Sequence, residues 1–396
     1  MKNKSALLIA SLILILLVSA CNGSISPSAT LGPGEQTAVV QTLTAMAPTQ
    51  QTATQTPTVM PSPTATSTKV NTSVGPNEFP EGVNPLTGLK VENPDLLKRR
   101  PVLVKVANYP AVGRPHAGLS FADIVFEYYI GEGSNRFAAL YYGQDCNKVG
   151  PVRSGRLVDP ELARMYQGVL AFSGANPENV LPRIQELMGD RIITENNCPG
   201  LCRDDYTVIG VFANTADITN VMQAKGVEID NPDLTGMLFD STVPAGGETA
   251  DKATLFYNYL DKGDWVYDAE SGKYLRWIEN ANNYDEMIPL VDRLTNEQLA
   301  FSNVIMAYAN YTEYTSVLHA IGVWDNTAGS NAILFRDGQA YPITWKTVSQ
   351  DKPIQFFDAN GNPFPLKPGN TWINLIGTSS TLDKADGNWT FTFSMP

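Results

Sequence analysis

Two arginines stand three residues apart in a turn-rich segment, a pattern that could bind an anion. Residues 150–156 read Gly-Pro-Val-Arg-Ser-Gly-Arg, so Arg153 and Arg156 flank Ser154. A guanidinium group presents its donors as a planar fork that matches carboxylates and phosphates. The arginines therefore either line a cleft for an anionic ligand or a partner's acidic group, or pair with carboxylates of the same chain and stabilise a loop.

Several charged residues near this segment could be the internal partners of the arginines or a catalytic set of carboxylates. They are Asp123, Glu127, Glu132, Arg136 and Asp159. Paired carboxylates hydrolyse glycosides, so a cell-wall hydrolase using Glu127, Glu132 or Asp123 is one hypothesis. No Gly-x-Ser-x-Gly frame, dinucleotide fingerprint or Walker loop is present, and two histidines leave little material for histidine-centred catalysis. We therefore predict a non-enzymatic protein without a cofactor.

Three cysteines follow residue 21, and their spacing suggests one disulfide. Cys198 and Cys202 frame the turn-rich sequence Cys-Pro-Gly-Leu-Cys and could close a small ring, which leaves Cys146 unpaired. A zinc site built from three thiols and His116 is the alternative. Its spacing is not that of paired Cys-x-x-Cys ligands, so we predict no metal.

The amino terminus has the features of a bacterial lipoprotein signal. Lys2 and Lys4 precede an apolar run that extends from Ala6 to Val18, and small residues then lead to Cys21. This run is short for a bilayer span, which needs about 20 residues. Residues 1–20 are thus predicted to be a signal peptide, with the Cys21 thiol lipidated in the mature protein.

Residues 21–79 are rich in Thr, Ser, Pro, Ala and Gln, and we interpret them as a disordered tether.

With 28 basic and 40 acidic residues, the chain has a net charge of −12. This excess of acidic residues argues against nucleic acid as a partner. The predicted location is extracytoplasmic, with a lipid anchor in the bacterial membrane.

The remaining residues are long enough for two domains, predicted over 80–245 and 246–396. The first alternates predicted strands, at 101–107, 124–130, 136–142, 168–172 and 206–212, with three helices. The first helix is predicted to begin after Asp159 as its cap, and the others near Asn176 and Thr215. The second repeats short apolar runs between Asp-Gly and Asn-Gly turns, a hairpin pattern. Residues 280–300 are polar and suggest a helix or a long loop. The predicted fold class is α+β, with a layered α/β first domain and a mostly antiparallel second domain.

Several motifs resemble the YerB-like bacterial lipoproteins. RRPVLVKVAN, HAGLSFADIVFEYYIGEGSNRFAALYY and GPVRSGR resemble the first domain of that family, whereas AILFRDGQAYPITW and LKPGNTWINLI resemble the second. The resemblance implies a two-domain envelope lipoprotein without an assigned activity. The positions that match the family's motifs are Asp123, Glu127, Glu132, Arg136, Arg153, Ser154 and Arg156. Ala213-Asn214 departs from them, because relatives carry His-Asn near the third helix, and Asn214 is kept as a candidate site residue.

The leading functional hypothesis is a module that binds an envelope protein or peptidoglycan through a cleft around Arg153 and Arg156. A wall-active hydrolase is the second hypothesis. A lipoprotein that captures a solute for a transporter is the third, although the strand-dense second half does not resemble two similar α/β lobes.

Overall fold

The computed structural model describes residues 73–228 and 231–395, and these belong to one compact unit. The predicted signal peptide, Cys21 and nearly all of the predicted tether lie outside the described residues. Three α-helices occur in the described ranges: α1 (Val158–Met165), α2 (Leu181–Met188) and α3 (Thr215–Ala224). Strands dominate the rest.

The strands of the described residues are short and follow one another closely along the chain. In the amino-terminal part they are β1 (Ser73–Val74), β2 (Val102–Ala107), β3 (Ile124–Gly131), β4 (Ser134–Tyr141), β5 (Val169–Ala171), β6 (Ile192–Ile193), β7 (Leu201–Arg203), β8 (Val211–Ala213) and β9 (Phe239–Asp240). In the carboxyl-terminal part they are β10 (Glu248–Thr249), β11 (Lys252–Asn258), β12 (Asp261–Asp268), β13 (Lys273–Asn280), β14 (Asn283–Pro289), β15 (Ala300–Phe301), β16 (Asn303–Ala309), β17 (Tyr311–Thr315), β18 (Leu318–Ile321), β19 (Ser330–Arg336), β20 (Gln339–Lys346), β21 (Gln355–Phe357), β22 (Thr371–Gly377), β23 (Thr381–Ala385) and β24 (Asn388–Thr392).

One long sheet contains strands from both predicted domains. Its order is β10-β20-β19-β16-β22-β3-β4-β2-β5-β6, with β21 paired to β20. The junction is the parallel pairing of β22 with β3, in which Trp372 lies opposite Val125 and Asn374 opposite Glu127. The backbone hydrogen bonds of the sheet therefore continue across the predicted boundary between residues 245 and 246.

A second sheet consists of carboxyl-terminal strands in the order β14-β13-β12-β11-β24-β23, with β15 paired to β13. All its pairings except β11 with β24 are antiparallel. The prediction of an α+β chain with a mostly antiparallel carboxyl-terminal part is confirmed. The layered α/β arrangement of the amino-terminal part remains a prediction.

The two faces of the long sheet bury separate apolar clusters. On β2, Val104 and Val106 belong to the cluster that contains Ile218 and Met222 of α3. Leu103 of the same strand belongs to the other cluster, which α1 and α2 also join. Because side chains alternate along a strand, Lys105 points to the α1 and α2 side. The sheet thus positions a lysine beneath the first turn of α1.

Three secondary-structure predictions need correction. Helix α1 begins at Val158, so Asp159 lies within its first turn and is not its cap. Helix α2 begins at Leu181 instead of near Asn176, because residues 177–180 form turns. Residues 204–209 form bends and turns, and strand β8 begins only at Val211.

A fourth correction concerns residues 280–300, which contain strand β14 followed by turns and the short strand β15 rather than a helix. Strand β14 forms a hairpin with β13 that starts from the Asn280 and Asn283 pair. Its burial is low along most of its length, so the polar composition reflects an exposed edge strand.

Candidate functional site

The arginine turn lies at the carboxyl ends of the parallel strands β2 and β5. The amide of Arg153 donates to the carbonyl of Lys105 at 2.9 Å, and its carbonyl accepts from the amide of Ser173 at 3.0 Å. The amide of Val152 donates to Val211 at 2.7 Å. Ligands of open α/β sheets commonly bind at the carboxyl ends of parallel strands, so this is a favourable position for a site.

Three guanidinium groups, of Arg136, Arg153 and Arg156, meet at this point and are called the arginine cluster below. Arg136 lies near the start of β4 and is buried. Its Nη1 donates to the Ser154 carbonyl at 2.8 Å. Nη1 of Arg156 donates to the carbonyls of Ser154 and Gly155, at 3.4 and 3.1 Å. Nη1 of Arg153 donates to the Val208 carbonyl at 3.1 Å. The structure therefore brings together the arginines that the sequence singled out.

No carboxylate among residues 73–228 and 231–395 lies within ion-pair distance of the arginine cluster. Burial, together with the charges of Arg156 and Arg153, lowers the pKa of Arg136 to about 9. Burial also lowers the pKa of Arg156. The Nε atoms of all three side chains are buried without a hydrogen-bond partner. Asp159 attracts Arg136 and Arg156 from beyond ion-pair distance and opposes both shifts in pKa, so the positive charge of the cluster is only partly balanced.

Asp159, the carboxylate nearest in sequence to Arg156, already has hydrogen-bond and ion-pair partners beneath the cluster. It is fully buried and accepts from the Arg156 amide at 2.6 Å, from the Tyr128 hydroxyl, and from Nζ of Lys105 at 3.3 Å. Burial lowers the pKa of Lys105 to about 7, because the attraction of Asp159 only partly offsets desolvation and the repulsion of Arg136 and Arg156. Asp159 is thus hydrogen-bonded to the turn and paired with Lys105, and it acts on the guanidinium groups of Arg136 and Arg156 only by attraction over a longer distance.

Glu127 belongs to a different cluster, in which all partners are internal. Its carboxylate, 1% exposed, accepts from Nη2 of Arg276 at 3.2 Å, from Nε1 of Trp372 at 2.9 Å and from Nδ2 of Asn135 at 2.6 Å. Burial raises its pKa, and Arg276 opposes that rise. We call these four residues the glutamate network. It joins β3 to the carboxyl-terminal strands β13 and β22.

The glutamate network continues into the second sheet. The guanidinium group of Arg276 lies 4.0 Å from the ring centroid of Trp265. A Cβ atom at Gly263 would lie 1.6 Å from Nη1 of Arg276, so only glycine leaves room for that side chain. This close fit indicates that the carboxylate of Glu127 has a structural role.

The other two candidate carboxylates do not form a catalytic pair with Glu127. Asp123 accepts from Asn84 at 2.8 Å and from the amides of Tyr142 and Gly143 at 2.6 and 3.0 Å, and burial raises its pKa to about 6. It borders a cleft of about 650 Å³, yet both oxygens are engaged. Glu132 is exposed in the β3–β4 turn with a φ of 50°. The geometry therefore gives the hydrolase hypothesis no support.

The remaining candidates have local structural roles. The side chain of Asn214 accepts from the amides of Ala216 and Asp217 and caps α3. Cys198 and Cys202 are joined by a disulfide with a Cα–Cα distance of 4.8 Å, and Cys146 is a buried free thiol. Ser154 contributes its carbonyl to the arginine cluster.

Sequence reasoning missed Lys105 and Arg276, which form the ion pairs with Asp159 and Glu127. Lys105 is the single charge in the apolar strand Val-Leu-Val-Lys-Val-Ala, and a charge inside such a run is itself a signal of a buried ion pair. Arg276 lies 149 residues from Glu127, so no local pattern connects them.

Comparisons with known proteins bear on both halves of the chain. Residues 86–228 match the N-terminal domain, and residues 253–373 the C-terminal domain, of a "Protein of unknown function (DUF3048)" family. "Putative lipoprotein YerB" of Bacillus subtilis (strain 168) is 26% identical over 315 residues, which cover 76% of this chain and 89% of that protein.

The fold of the chain is also similar to a solved structure. A crystal structure of the YerB protein from Bacillus subtilis aligns with a TM-score of 0.62 at 25% sequence identity, over 74% of this chain and 96% of that one. No helix in the ranges described here is long and apolar enough to cross a membrane. Both sequence halves and the fold thus agree with the resemblance, and the chain belongs to the YerB-like lipoprotein family of DUF3048 domains.

Proposed function

We propose that this chain is a lipid-anchored, extracytoplasmic lipoprotein that binds an anionic group of an envelope protein or cell-wall component at the arginine cluster. The carrying observation is that three guanidinium groups converge without a carboxylate within ion-pair distance in the described chain. An anion placed among them would relieve their mutual repulsion and form charge-assisted hydrogen bonds. A binding module needs no catalytic group.

The charge balance of the chain supports this assignment. The protein has a net charge of −12, so a group of three neighbouring arginines contrasts with its acidic surface. A local positive site in an acidic protein favours a specific anion over general electrostatic attraction to anionic polymers.

The anchor part of the proposal is supported by the signal sequence that ends at Cys21 and by the name of the relative, a lipoprotein. Lipid on Cys21 would keep the protein at the membrane, since two or more acyl chains give stable attachment. The residues before 80 would act as a tether that allows the folded unit to reach an envelope partner.

Thermal unfolding in the presence of anions tests the site. Phosphate and citrate, compared with sodium chloride at equal ionic strength, should raise the melting temperature of the full chain in detergent saturably. The double variant Arg153→Ala/Arg156→Ala should lose this increase. In sodium chloride its melting temperature should equal that of the parent chain. Lys98→Ala is a control that also removes positive charge, because Lys98 pairs with Asp95 at 2.6 Å and both side chains are exposed. Equal responses of all three proteins would refute the proposed site.

Digestion of peptidoglycan tests the hydrolase alternative separately. The purified chain should release no product from peptidoglycan fragments. Release that disappears in Glu132→Gln would restore the hydrolase hypothesis and contradict a purely binding function.

A further inference from the structure

A hairpin beside the arginine cluster carries apolar side chains that face solvent. Strands β7 and β8 are joined by residues 204–210, in which Tyr206 is 100% exposed and Val208 is 59% exposed. Val112 of a neighbouring loop is 72% exposed. A single exposed apolar residue needs no explanation, but three in adjacent segments next to a charged site are typical of a contact surface.

The hairpin tip and the arginine cluster are physically continuous. The carbonyl of Val208 accepts the hydrogen bond from Arg153, so the tip borders that guanidinium group. On the other side, a Cβ atom at Gly113 would lie 3.1 Å from Cγ2 of Ile209 and 3.2 Å from Cγ of Pro151. The loop that carries Val112 therefore packs against both the tip and the arginine turn.

The tip is held in one shape by its own contacts. The disulfide between Cys198 and Cys202 lies at its base, and Arg203 forms a bidentate pair with Glu195 at 2.7 and 2.9 Å. Arg203 also donates to the carbonyl of Thr207 at 3.0 Å, within the turn. A pre-shaped loop loses little conformational entropy when it binds, which favours its use in recognition.

The charges around the tip indicate which kind of partner it fits. Asp204 pairs with Lys148 at 2.6 Å, Glu195 pairs with Arg203, and Asp205 accepts from Thr207. Asp204 and Glu195 are thus paired with basic side chains, whereas Asp205 and the guanidinium group of Arg153 have only uncharged hydrogen-bond partners. The tip therefore carries one negative charge, at Asp205, and the side that borders the arginine cluster carries positive charge, which fits an acidic group of a partner.

We propose that the surface formed by Val112, Tyr206, Val208 and Arg153 docks a segment of a protein partner in which an acidic residue lies close to apolar side chains. The proposal rests on the proposed function and narrows its ligand to a protein carboxylate. Arg153 binds the carboxylate, and the exposed apolar side chains cover the partner's apolar residues. Tyrosine and arginine are the residues that most often dominate the energy of such contacts.

A display selection with random twelve-residue peptides tests this assignment on the full chain in detergent. Enriched peptides should carry Asp or Glu within a few positions of an apolar or aromatic residue. Binding of such a peptide, measured by fluorescence anisotropy, should weaken about tenfold or more in Tyr206→Ser/Val208→Ser and in Arg153→Ala. A control with Tyr314→Ser and Val348→Ser, which removes the same residue types elsewhere, should bind like the parent chain.

The outcomes separate the two proposals. Peptides that need Arg153 but bind Tyr206→Ser/Val208→Ser equally well would overturn the docking surface and leave the anion site intact. Selection of peptides without acidic residues, or stabilisation by phosphate with no acidic peptide selected, would also overturn it. If neither peptides nor small anions respond to the arginine variants, the proposed function fails as well. Melting temperatures of each variant confirm that the chain is folded.

Discussion

The glutamate network and the arginine cluster contain the same kinds of charged residues, yet they are built in opposite ways. In the glutamate network, Glu127 meets Arg276, Trp372 and Asn135 in the interior, between strands from both halves of the chain. In the arginine cluster, Arg153 and its neighbours meet only carbonyl oxygens at the ends of two parallel strands. The first pairs its arginine directly with a carboxylate, whereas the second has no carboxylate within ion-pair distance among the described residues.

This difference separates a structural role from a binding role more reliably than residue type does. A buried ion pair whose partners are all internal connects elements of the fold, and it is costly to break. A cluster of like charges without a carboxylate in direct contact costs stability in the free protein, and a ligand can reduce that cost. The two clusters should therefore respond to substitution in opposite ways.

The largest effect is expected from Glu127→Ala. The substitution leaves Arg276 buried without its carboxylate, and should lower the free energy of unfolding by about 3–5 kcal/mol. Urea unfolding followed by tryptophan fluorescence measures it, with Trp372 itself in the network. A loss below about 1 kcal/mol would mean that the network is not structural.

A smaller effect is expected from the titration of Lys105. Its pKa is about 7 in the folded chain and 10.5 ordinarily, so the unfolded chain binds more protons between these values. Stability should therefore rise with pH in this window, and the contribution of Lys105 between pH 7 and 9 is about 2 kcal/mol. Lys105→Met should lack this increment in urea unfolding at the two pH values. If the stability of the parent chain and that of Lys105→Met changed equally between the two pH values, the lowered pKa of Lys105 would be contradicted.

Much of this architecture follows from local sequence patterns. The alternating and apolar runs predicted β2, β3, β4 and β5 within a few residues, and the Asp-Gly and Asn-Gly turns predicted the hairpins of the carboxyl-terminal part. The parallel pairing of β3 with β22 could not be predicted, because it joins segments about 250 residues apart and leaves no local pattern.

The site was only partly predictable for the same reason. The Arg153 and Arg156 motif is local, and its residues do meet Arg136. The sequence could not show that Glu127 and Asp159 would be occupied by Arg276 and Lys105, since those contacts depend on tertiary packing. Glu127 and Asp159 lie near Arg153 and Arg156 in the sequence, but they form their ion pairs with other residues.

Arg156→Met should have a much smaller effect on stability than Glu127→Ala. The substitution removes both the repulsion by the other arginines and the longer-range attraction by Asp159, which still pairs with Lys105, so the free energy of unfolding should change by less than about 1 kcal/mol. Thermal and urea unfolding at low ionic strength measure the change. A loss of 3 kcal/mol or more would place Arg156 in a structural network like that of Glu127.

The smallest effect is expected from Glu132→Gln. This residue is exposed in the β3–β4 turn, and the substitution should change stability by less than about 0.5 kcal/mol. It should also leave anion-dependent stabilisation intact. Urea unfolding with and without phosphate measures both, and a loss of the phosphate response would show that the turn belongs to the site.

Diffraction from crystals that contain selenate tests the central claim most directly, because selenium scatters anomalously and marks the position of the anion. The account predicts an anomalous peak within hydrogen-bond distance of the guanidinium groups of Arg153 and Arg156, absent in crystals of Arg153→Ala/Arg156→Ala. An experimental structure in which these arginines instead pair with carboxylates of the same chain, with no peak between them, would contradict it.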